Sequence, residues 1–176
     1  MLFRFVFLLL ALSFWSSTGA AAAGEVLVME NMAIGGLKLT SEATLIRLSR
    51  HDQSKLQAAL AAPASGGQVL LLLSGITARQ ATSIGFEIAL LALDSSTDRV
   101  LDETTLAKLY IFDPRPTRRS IDIFPAAQKP ALRAAQNLLA IRIRAEAPGS
   151  DVSPTMHEEI SRASISIDRI EIIVRS

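Results

Sequence analysis

The apolar positions of this chain come in short runs, and most runs alternate with polar residues. In "QVLLLLSG", five large aliphatic residues from Val69 to Leu73 stand between Gly66-Gly67 and Gly75. That interval is strand length and too short for a buried helix, so it predicts a strand covered on both faces. "RSIDIF" (119–124) puts Ile121 and Ile123 on one face and Asp122 on the other. "LLAIRIRAEA" (138–147) sets Ile141 and Ile143 against Arg142 and Arg144 in the same way. "EVLVM" (25–29), "GLKL" (36–39), "EATLIRL" (42–48) and "FEIALLAL" (86–93) add further strands. "AKLYIF" (107–112) is another, ended by "DPRP", whose prolines stop a ladder. In "SISIDRIEIIV", Ile165 and Ile167 alternate, and Ile170, Ile172 and Val174 then alternate one step out of phase. The slip at Asp168-Arg169 predicts a β-bulge, with a tight hairpin as its rival.

Helix is scarce. "DQSKLQAALAAP" (52–63) and "AQKPALRAAQNLL" (127–139) are Ala-rich, and Pro130 falls where a first helical turn tolerates it. Eight to ten short strands with one or two short helices predict an all-β fold. The expected form is an antiparallel β-sandwich, jelly-roll or Ig-like, occupying residues 24–176 as a single domain.

The first 23 residues follow another pattern. Arg4 precedes an apolar run from Phe5 to Leu12, and small residues then lead to Ala21-Ala22-Ala23. This is the layout of a secretory signal peptide cleaved after Ala23. The alternative, a retained anchor, has an apolar run shorter than the ~20 residues a span needs. The expectation is a periplasmic or secreted bacterial protein with no membrane span after cleavage. Cleavage would remove Arg4, four of the seven Phe and the only Trp, leaving 17 basic against 17 acidic residues. Phe86, Tyr110, Phe112 and Phe124 would be the remaining aromatics. A neutral chain with so few rings lacks both the basic patch and the stacking platforms that nucleic acid requires. With no cysteine the domain must be held by packing alone.

The same composition limits the chemistry. Two histidines, His51 and His157, cannot supply a metal site of three imidazoles, and no thiol is present. No G-x-S-x-G or phosphate-cradling glycine loop occurs, so neither an enzyme nor a cofactor is expected. Met29, Met32, Met156 and His157 are soft donors of the kind that hold Cu(I), although Met29 ends an apolar strand and suits a core. His157 beside Glu158 and Glu159 could serve acid–base chemistry. After Pro154 the acids equally suit the opening turn of a helix. Asp94, Asp98, Asp102 and Glu103 cluster in a turn segment, where acids are ordinary. The strongest candidate is "DPRPTRRS" (113–120). There Arg115, Arg118 and Arg119 sit on a Pro-stiffened loop suited to gripping a carboxylate on a protein partner.

The order of these blocks resembles the C-terminal β-sandwich domain of plant polyphenol oxidases and bacterial tyrosinase-like proteins. The resemblance is carried by the strand ending Gly75-Ile76, by Phe86-Glu87-Ile88, and by the Ile-rich last strand interrupted at Asp168-Arg169. It implies a sandwich that shields or assists a type-3 copper oxidase. The chain is expected to lack the copper domain, since two histidines are too few to supply one. The chain is therefore expected to be an exported, non-catalytic accessory domain of a separate copper oxidase. The alternative is a general envelope module that binds a small ligand or a protein with no link to copper. "DPRPTRRS" and "FPAAQKP" (124–130) are the loops expected to dock.

Overall fold

The computed structural model describes residues 25–61, 68–146 and 154–175; the expected signal peptide lies outside them. Eight strands are found among these residues: β1 (Glu25–Lys38), β2 (Thr44–Arg47), β3 (Gln68–Thr77) and β4 (Gly85–Leu93), then β5 (Val100–Tyr110), β6 (Thr117–Asp122), β7 (Leu138–Glu146) and β8 (Ser166–Arg175). Four helices accompany them: α1 (Arg50–Ala61), α2 (Phe124–Ala127), α3 (Pro130–Arg133) and α4 (Pro154–Ala163).

The pairing follows one rule. β1 lies against β8, β2 against β7, β3 against β6 and β4 against β5, all antiparallel. The chain is thus one long hairpin folded at the β4–β5 turn. Rolling it up adds the pairs β3–β8 and β4–β7 and closes two sheets, β1-β8-β3-β6 and β2-β7-β4-β5. This connectivity is a jelly roll, one of the two sandwich forms that the alternation predicts.

Alternation fills the space between the sheets. Leu71, Leu73, Ile170 and Ile172 face inward from one sheet, and Phe86, Ile88, Leu90, Leu139, Ile141 and Ile143 from the other. Leu56 and Leu60 of α1, Leu132 of α3, and Ile160 of α4 extend the same core.

The expected slip at Asp168-Arg169 is present, and it is shared. Along β8 the residues of the inter-sheet core change from Ile172 and Ile170 to Ile167, with Ile165 just before the strand, and on β3 they change from Leu71 and Leu73 to Ile76. Register between the two strands nevertheless holds from Gln68↔Arg175 to Thr77↔Ser166. Both strands therefore change face together, where Gly75 (φ +64°) meets Asp168. The mismatch appears at the outer neighbours instead, between Leu73 and Ile76 against β6 and between Met32 and Leu37 against β8. Because β8 is one unbroken strand, the rival hairpin is excluded.

Two expectations change. The helix expected over 127–139 is two single turns followed by a strand. Lys129 is extended (φ −61°, ψ 140°), as a residue before proline prefers, and Leu138 already begins β7. The strand expected over 107–112 begins at Val100, so Asp102 and Glu103 lie in β5 rather than in a turn.

The β4–β5 turn is closed by Asp94, whose Oδ1 accepts hydrogen bonds from the Ser96 amide (2.9 Å), the Ser96 hydroxyl (2.5 Å) and the Thr97 amide (2.9 Å). These donors favour the charged carboxylate and hold its pKa at about 2, below the usual 3.8. A depressed carboxyl pKa contributes fully above the unfolded value, and that contribution is lost as pH falls through about 2. In wild-type protein the Ser96 and Thr97 amide proton shifts should therefore titrate near pH 2, well below an ordinary Asp. Asp94→Asn should abolish that step.

Candidate functional site

β5 and β6 are edge strands of different sheets, and a cleft of about 340 Å³ opens between them. Ile88, Leu109 and Ile121 form its apolar floor. Leu109 turns into the core, so Tyr110 turns outward, and Phe112 follows on the same side two residues later. Their rings stack at 5.9 Å between centroids and 9° between planes. Tyr110 pairs in register with Gly85, and a Cβ there would approach the ring's Cε1 to 2.7 Å. Gly85 is thus the seat of the tyrosine ring. Tyr110 is still 41% exposed and Phe112 75%.

Cations border the rings. Arg119 shares a strand face with Ile121 and enters the cleft, whereas Arg118 points to the other face of β6. Neither makes an ion pair among the described residues. Lys108 also lines the cleft, but Glu146 holds its ammonium at 2.7 Å, and this hydrogen bond raises its pKa.

The predicted arginine trio does not converge. Asp113 takes Arg115 back into its own turn, through Nε at 2.8 Å and the backbone amide at 2.9 Å. The same bonds lower the Asp113 pKa and raise that of Arg115. "FPAAQKP" is not a free loop either, since α2 buries Ala126 and Ala127 in the core.

The other candidates scatter. Met29 and Met156 are core residues, His157 is exposed, and the Met32 side chain lies outside the described part. On α4, successive side chains point about 100° apart, so His157, Glu158 and Glu159 diverge. His157 Nδ1 and Ser41 Oγ share a hydrogen bond of 2.7 Å, beside a hollow of about 200 Å³. Glu158 pairs with Arg162 at 3.0 Å. Glu159 accepts from the Thr82 hydroxyl (2.7 Å), the Ser83 amide (2.8 Å) and the Ser83 hydroxyl (3.0 Å), which lowers its pKa. These bonds tie α4 to the segment before β4. The acids of the turn region likewise separate: Asp98 goes to Arg47 at 3.0 Å, Asp102 to Lys129 at 3.9 Å, and Glu103 to Arg142 at 2.9 Å.

Of Phe86-Glu87-Ile88, the apolar pair enters the core and Glu87 lies on the outer face, bound by Arg142 (3.1 Å) and Arg144 (2.9 Å). The stacked pair escaped the sequence reading. The spacing of Tyr110 and Phe112 marks one strand face, but the glycine that seats the tyrosine belongs to another strand.

The class defined by fold and cleft is a jelly-roll domain with one open, aromatic-lined edge. No protein-family model matches the chain, and no curated protein matches it in sequence. Among the described residues no helix is long and apolar enough to cross a membrane.

Proposed function

We propose that this chain is an exported, non-catalytic interaction domain that holds a protein partner in the cleft between β5 and β6. One observation carries the reading: two stacked, exposed aromatic rings stand over an apolar floor beside a guanidinium with no described ion partner. Aromatic and arginine side chains around a desolvated pocket are the usual anchors of an interface. The N-terminal Arg4, the apolar run after it and Ala21-Ala22-Ala23 support export.

The test is capture from an envelope extract, with the captured protein identified by mass spectrometry and rebound in pure form. Wild-type protein should retain it, and Phe112→Ala combined with Arg119→Ala should lose most of it. Equal retention by the variant would reject the cleft as the docking site. The order of the strand motifs favours a type-3 copper oxidase as the partner. A captured oxidase whose activity changes on binding would establish the accessory role, and an unrelated protein would leave a general binding module.

A further inference from the structure

We infer that the occupant of this cleft is an extended, acidic segment of the partner protein, added as a new strand along β6. The inference rests on the binding role proposed above. Strand addition needs an edge that is free and regularly paired on its other side. β1 and β5 each carry two register irregularities, which twist an edge away from a new partner. β2 has four residues, and its Arg47 is engaged by Asp98. β6 has six residues and a single register irregularity against β3, between Arg119 and Thr117, and its pairing is regular beside the cleft from Asp122↔Leu70 to Arg119↔Leu73.

Charge selects the segment. No Asp or Glu lines the cleft among the described residues, and Lys108 is already neutralised by Glu146. Arg118 and Arg119 remain, one on each face of β6. A second copy of this chain paired antiparallel through β6 in a register centred on Arg118 and Arg119 would set arginines against one another, and charge on an edge strand guards against self-association. A foreign strand with carboxylates facing these two positions meets opposite charge on both faces. Its inward apolar residue would then lie against Ile121, with the Tyr110–Phe112 stack alongside.

Three synthetic peptides, written to run antiparallel to Thr117–Asp122, test this against the purified protein: a Val–Glu peptide, Thr-Val-Thr-Glu-Glu-Thr, which sets Val opposite Ile121 and one Glu opposite each of Arg119 and Arg118; a Val–Lys peptide with Lys in place of both Glu; and the Val–Glu peptide with alternate backbone amides N-methylated. The Val–Glu peptide should bind at least about tenfold more tightly than the Val–Lys peptide, and it should slow amide exchange across Thr117–Asp122. N-methylation should abolish binding, and Arg118→Glu with Arg119→Glu should reverse the preference. No binding by the Val–Glu peptide, no discrimination by charge, or binding without protection of β6 each overturns strand addition. Partner capture that depends on Phe112 while β6 stays unprotected rejects strand addition alone. Capture indifferent to Phe112, with no peptide bound, rejects the binding role as well.

Discussion

Gly75→Ala should lower the unfolding free energy by about 3 kcal/mol, read as a fall in the urea midpoint. Two costs combine. Gly75 has φ +64°, a left-handed conformation that costs an L-residue roughly 1–2 kcal/mol. A Cβ built there would also lie 2.2 Å from Asp168 Oδ2, 2.6 Å from its Cγ and 2.7 Å from its Cβ. The carboxylate can swing away, but the Asp168 Cβ is fixed by the backbone of β8, so the strands themselves must part. Overpacking of this kind costs roughly 1–3 kcal/mol. Gly36 makes the control: its φ is also positive, at +78°, but an added Cβ meets nothing closer than 3.3 Å. Gly36→Ala should therefore cost only the backbone share, about 1–2 kcal/mol. Asp168→Gly should recover the steric part in the Gly75→Ala background, giving the pair a positive coupling in a double-mutant cycle. If Gly75→Ala and Gly36→Ala proved equal, the tight contact between β3 and β8 would not govern the shared slip.

That slip shows how far local pattern reaches. The change of phase in "SISIDRIEIIV" is visible because burial selects one face of a strand, and β8 changes face where the isoleucines do. The matching change on β3 is also written in the chain, as Leu71, Leu73 and Ile76 around Gly75. Nothing in either segment says that the two lie side by side. Jelly-roll connectivity was illegible for the same reason, since β1 and β8 pair across nearly the whole chain. The first half of β5 was missed because an edge strand with a solvated face has little burial to mark it, and "LDETT" then resembles a turn. Over 127–139 the alanines favour helix, and Pro130 and the alternation after Leu138 outweigh them.

At the site the balance is similar. The arginines of 115–119 form a cluster in sequence, and strand alternation in β6 divides Arg118 from Arg119. Local geometry in the Asp113 turn removes Arg115. His157, Glu158 and Glu159 are adjacent in sequence and diverge because α4 is a helix.

Two phenylalanines separate stability from binding most sharply. Phe86→Ala should destabilise the fold by about 4 kcal/mol, whereas Phe112→Ala should change it by less than about 0.5 kcal/mol. Phe86 is 1% exposed on β4, paired in register with Leu109 on one side and Ala145 on the other. Removing its ring leaves a cavity that two paired neighbouring strands cannot collapse to fill. Phe112 is 75% exposed just beyond the end of β5, so its ring already faces water and little burial is lost with it. The order should reverse in partner capture. Phe112→Ala should lose the partner while retaining the wild-type urea midpoint. Phe86→Ala should bind normally at temperatures where it remains folded, because the ring lies on the core face of β4 and does not line the cleft. Should Phe112→Ala prove as destabilising as Phe86→Ala, the exposed stack would belong to the scaffold, and its effect on capture would no longer locate the partner.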